Sequence, residues 1–199
     1  FDRLLAGPTN DVWIDPWRKH LTVHLGVVLE LNAPLRSLDL EGNRLSSVTI
    51  ERAGQPVEVT ADFYVAALPV EVMRRFITPE LARAAPSLSR LGELRTAWMN
   101  GIQFYLQTDE PLADGHTIYL DSNWALTSIS QRQFWHGYEL AQYGNGPVGG
   151  VLSVAISKWN APGHFNRKPA AEAATREDIK ADVTAERREA LNVTGQSRI

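Results

Sequence analysis

The chain contains no cysteine. That excludes disulfides, a thiolate nucleophile and any cysteine-ligated metal, and it suits a reducing compartment. Long apolar runs are missing too: none approaches the ~20 residues of a membrane-spanning helix. No basic-then-apolar leader opens the chain. These features together predict a cytoplasmic location. An excess of charge of one sign is also lacking. Lys and Arg number 20 against 23 Asp and Glu, a net charge of −3, so no nucleic-acid partner is expected. Internal repeats and low-complexity tracts are absent. The 199 residues suit one large domain or a domain and a half. The first residue is Phe1, and Asn192 to Ile199 shows no closing element. Both ends read as cut or processed.

One more absence concerns chemistry. Gly144-Asn145-Gly146-Pro147-Val148-Gly149 matches G-x-G-x-x-G by letter only. A phosphate cradle needs free backbone N–H groups and a helix that starts at the loop. Pro147 has no N–H, and Val151 to Ile156 reads as a strand. The segment is therefore read as a surface turn.

What is present reads as a mixed, α+β chain. Gly7 to Asn10 is a loop, with Thr9 or Asn10 as a cap for a helix to about Leu25, ended by Gly26. Val27 to Leu31 reads as a short strand. Leu35 begins another, Gly42-Asn43 is a hairpin signal, and Ala53 to Pro56 is a second turn. Phe63 to Leu68 favours a strand that Pro69 stops. Its small Ala66 and Ala67 would let a backbone or flat ligand come close. Helices are expected after Pro69 and Thr78-Pro79. Strands are expected within Thr96 to Leu106, His116 to Leu120, Trp124 to Ser130 and Val148 to Trp159. Thr175-Arg176-Glu177-Asp178 predicts a capping box before a charged helix to about Ala190.

Several residue pairs invite a chemical reading. His20 and His24 have metal-ligand spacing, but no third ligand is evident, so solvated or packed histidines are preferred and no metal is expected. Asp11 and Asp15 suit the start of a helix better than a cation site. No serine stands in a nucleophile elbow, and no residue is assigned as a catalytic acid, base or nucleophile. The aromatic and amide residues between Trp98 and Trp135 are the stronger signal. Large aromatics with scattered amides suit the wall of a pocket for an apolar ligand. The competing role for each is core filling. Trp98, Gln103, Tyr105, Trp124 and Gln131 are expected to converge on one substrate cavity. Gln103 and Gln131, if buried, each need a partner.

Four stretches together resemble one family: Gly7 to Trp17, Ala61 to Met73, Arg95 to Leu106 and Asp121 to Trp135. They are similar to FAD-dependent oxidoreductases of the phytoene desaturase, hydroxysqualene dehydroxylase and flavin amine oxidase superfamily. The resemblance implies an α+β fold, an α/β flavin fold in part. Residues 1–69 would belong to the FAD-binding domain with a β-hairpin excursion. Residues 70–199 would form a substrate-binding domain with a mostly antiparallel sheet. It implies FAD as cofactor, hydride transfer to flavin, and a large apolar, isoprenoid-like substrate with peripheral membrane contact. Leu35, Ala66, Ala67 and Leu68 would touch the dinucleotide. The chain is expected to be the central part of such an enzyme. Alone, it should bind FAD weakly or not at all and be inactive without the missing flavin-binding segments or a complementing chain. The competing reading is a non-catalytic module that binds an apolar ligand or partner without flavin.

Overall fold

The computed structural model describes residues 4–110, 112–172, 175–192 and 195. Two compact units emerge, Thr22–Ala97 in one and Phe1–Leu21 with Trp98–Ile199 in the other. The architecture is α+β, with helices and two antiparallel sheets of three and four strands.

In the unit Thr22–Ala97, β1 (Leu35–Glu41), β2 (Arg44–Arg52) and β3 (Gln55–Val59) form a meander. Its two turns lie where the sequence places them. Gly42 has φ 62°, and Ala53 and Gly54 have φ 49° and 77°. Positive φ is what a two-residue hairpin turn demands, and Ala53 adopts it against its own preference. Two short helices come next, α2 (Val70–Met73) and α3 (Pro79–Ala84). The Thr78 hydroxyl caps α3 by accepting from the Leu81 N–H at 3.2 Å.

Two expected strands of this unit do not form. Val27 to Leu31 and Tyr64 to Leu68 have no regular structure. A strand needs a neighbour for its backbone N–H and C=O groups, and neither segment pairs with any strand among the described residues. Val28 is 81% exposed and Val65 91%. Side-chain ties fasten both segments to β2 instead. Arg52 donates to Glu30 at 2.7 Å, and the Tyr64 hydroxyl donates to the Ser46 carbonyl at 2.8 Å.

In the other unit, α1 (Asp15–Lys19) comes after a wider helical turn, Asn10–Ile14. The expected cap from Thr9 is not made, because its backbone is already helical and its side chain accepts no N–H. The sheet runs β4–β7–β6–β5, all antiparallel: β4 (Asn100–Leu106), β5 (His116–Ile118), β6 (Leu126–Ser130) and β7 (Gly150–Ile156). The final helix, α4 (Arg176–Leu191), starts with the expected capping box between Thr175 and Asp178.

Alternation along the strands gives this sheet two unlike faces. Leu152, Val154 and Ile156 of β7 join Leu126, Trp124 and Tyr119 in a core that Val183 of α4 completes. Ile102, Phe104 and Leu106 of β4 pack against it. The intervening positions, Gln103 and Tyr105 of β4 and Ser153 of β7, point to the opposite face.

Candidate functional site

The candidate site lies on that second face. Gln103 of β4 sits directly across from Ser153 of β7, and Ser153 from Ile129 of β6. Gln131 comes just after β6, at the start of a short helical turn. The two amides meet on one hydroxyl: Gln103 Nε2 donates to Ser153 Oγ at 3.1 Å, and Gln131 Nε2 donates to it at 3.0 Å. Gln103, Tyr105 and Gln131 line one cleft of ≈ 370 Å³. Its other walls are Trp135, Tyr143 and the segment Leu4 to Thr9. Its lining mixes apolar side chains with the amides and hydroxyls of Gln103, Gln131, Thr9, Tyr105 and Tyr143.

Local contacts hold the rim. The Tyr143 hydroxyl donates to Asp11 Oδ2 at 2.9 Å. That bond to a carboxylate pushes the Tyr143 phenol up from its ordinary pKa and commits its one hydrogen to Asp11. Gly7 is buried, and a Cβ there would clash with the Tyr138 ring. Trp135 and Tyr138 meet in a tilted pair with centroids 6.4 Å apart.

The remaining residues expected at the cavity lie elsewhere. Trp98 is 76% exposed and does not line the cleft. It precedes β4, so no alternation fixes its facing. Trp124 is fully buried on the helix-covered face. Its backbone N–H donates to Glu186 of α4 at 3.2 Å, and its indole Nε1 donates to the Ala161 carbonyl at 2.8 Å. Of the five, the structure brings Gln103, Tyr105 and Gln131 to one cleft and leaves Trp98 and Trp124 outside it. Trp124 stands in the turn before β6, next to Ala125 at φ 48°, where strand alternation does not reach, while Ser153 lies within β7, three positions from the core residue Ile156, and faces away. Ser153 itself was not singled out in the sequence. Its signal was there, a lone hydroxyl among apolar neighbours in Val151 to Ile156.

The helix-covered face carries a second polar group that sequence reading missed. Asp182, Glu186 and Arg187 of α4 are buried. Asp182 Oδ1 accepts the Phe165 N–H at 2.5 Å, Glu186 accepts from the Ser122 hydroxyl and Trp124 N–H, and Arg187 donates to the Tyr119 hydroxyl at 3.1 Å. Each ties α4 to a loop or strand end, and Glu186 also lines a second cleft of ≈ 480 Å³ with Tyr119, His164 and Glu189.

The positions expected to touch a dinucleotide lie in the unit Thr22–Ala97. Leu35 begins β1 opposite Ile50. Ala66 and Ala67 are exposed and Leu68 is half-buried, in the irregular stretch before α2. The glycine-rich loop lies in the other unit. Gly149 donates its N–H to the Leu106 carbonyl at 2.9 Å, and the loop runs directly into β7, not into a helix. A Cβ on Gly150 would come within 2.7 Å of Asp109 Cα. These glycines permit close backbone packing. Among the described residues no group of three or more His, Cys, Asp or Glu is placed to hold a metal ion. No described helix is long and apolar enough to cross a membrane.

The family model of the flavin containing amine oxidoreductases matches residues 17–194. The chain belongs to that family. No curated protein and no solved structure matched it. As a flavin containing amine oxidoreductase region, it has FAD as the cofactor of the intact enzyme. The described residues do not by themselves fit that group. The single glycine-rich loop opens a strand and is packed against Gln107 and Asp109, leaving no cradle for a pyrophosphate.

Proposed function

We propose that the chain supplies the substrate side of an FAD-dependent dehydrogenase or desaturase-like enzyme, related to phytoene desaturases and hydroxysqualene dehydroxylases. Its substrate is large and apolar, of the isoprenoid class. The supporting observation is the cleft in which Gln103 and Gln131 converge among Tyr105, Trp135 and Tyr143. Residues 70–199 act as the substrate-binding domain, and residues 1–69 contribute to the flavin-binding domain. There Leu35, Ala66, Ala67 and Leu68 adjoin the dinucleotide, together with flavin-binding segments from outside this chain or from a complementing chain. Flavin supplies the redox chemistry, while this chain binds, orients and shields the substrate. The enzyme works in the cytoplasm and meets its apolar substrate by peripheral membrane contact.

Replacing Gln103 with Leu in the flavin-loaded full-length enzyme tests the assignment. Substrate kinetics should change while flavin content and melting temperature stay near wild type. Altered stability with unaltered kinetics would remove Gln103 from any substrate site.

A further inference from the structure

We propose that Ser153 is a positioning residue: its hydroxyl clamps both glutamine amides, and the clamp makes the cleft select apolar ligands that carry one hydrogen-bond donor. The clamp stands on geometry alone; the ligand class rests on the substrate-site reading above.

A serine hydroxyl has one hydrogen and two lone pairs. Two amide groups approach Ser153 Oγ, at 3.1 Å from Gln103 and 3.0 Å from Gln131. Whichever way each amide is turned, the single hydrogen of Ser153 can serve only one amide oxygen. At least one glutamine must therefore donate through Nε2. That glutamine keeps its carbonyl oxygen as an acceptor for whatever enters the cleft. In the arrangement observed both glutamines donate, so both carbonyl oxygens are acceptors without a further partner among the described residues. Ser153 is half-buried in β7, which fixes its backbone through pairing with both β4 and β6. The two long amide side chains are thus held from a rigid strand. A ligand with an O–H or N–H group gains a partner there. A purely apolar one must desolvate the carbonyls without compensation.

The test uses the chain itself. Side-chain amide NMR resonances of Gln103 and Gln131 should both shift towards unstructured values in Ser153→Ala and stay dispersed in Ser153→Thr. Ser153→Cys, nearly isosteric but a poor hydrogen-bond partner, serves if Ser153→Ala folds poorly. Resonances unmoved by loss of the hydroxyl would overturn the clamp. For the ligand class, benzyl alcohol and toluene are the probes. Benzyl alcohol should perturb both glutamines at a concentration roughly five- to tenfold lower than toluene, the worth of about one hydrogen bond. Equal effects, or none from benzyl alcohol, would overturn the selectivity. The outcomes separate from those of the substrate site. Normal clamp behaviour with unaltered Gln103→Leu kinetics would sink only the substrate assignment. Altered kinetics with no clamp would sink only this inference.

Discussion

Glu186 and Glu189 lie three residues apart on α4 yet do different work. Glu186 is 3% exposed and accepts the Trp124 N–H and the Ser122 hydroxyl. Glu189 is exposed and meets His164 Nδ1 at 3.0 Å. Replacing Glu186 with Ala leaves the buried Trp124 N–H unpaired, at about 1–3 kcal/mol, and frees the half-buried Ser122 hydroxyl. Glu189→Ala removes only an exposed contact with His164, worth under about 1 kcal/mol. Denaturant melts should therefore show a large loss for Glu186→Ala and almost none for Glu189→Ala. Equal losses would mean that the buried polar group on α4 does not hold the turn at Ser122. Nothing in the local sequence separates these two glutamates, because both lie in a charged helix. Only the pairing of α4 with the 122–124 turn distinguishes them.

At the scale of elements, most of the second sheet was legible. Aromatic, β-branched runs bounded by turn residues placed β4, β5, β6 and β7, and the Thr175 capping box placed α4. Facing was harder, since it depends on register. Gln103 and Tyr105 share a face by alternation, but Trp124 lies in the turn before β6, next to Ala125 at φ 48°, and its bonds to Glu186 and Ala161 fix it in the core. The strands at 27–31 and 64–68 failed for another reason. Their propensity is real, but β structure is completed by a partner, and none stands beside them among the described residues. The glycine-rich loop gives an element-scale prediction. Gly150→Ala should overpack against Asp109 and cost about 1–3 kcal/mol. A Cβ on Gly146 meets nothing within 4 Å, so Gly146→Ala should be nearly neutral in thermal melts. A reversed order would mean that packing is not what these glycines serve.

For the whole molecule, family membership and local geometry answer different questions. The match over residues 17–194 makes the chain part of a flavin-dependent oxidoreductase. The described residues nevertheless place the polar cleft on one sheet and offer no loop-to-helix cradle for a pyrophosphate. The described residues thus offer a cleft but no visible grip on a pyrophosphate. The most direct measurement is an equilibrium titration of the purified chain with FAD, monitored by flavin fluorescence and by flavin retained after gel filtration. No saturable binding and no retained flavin are expected. Near-stoichiometric retention of flavin would contradict the claim that this chain alone lacks a grip on the cofactor.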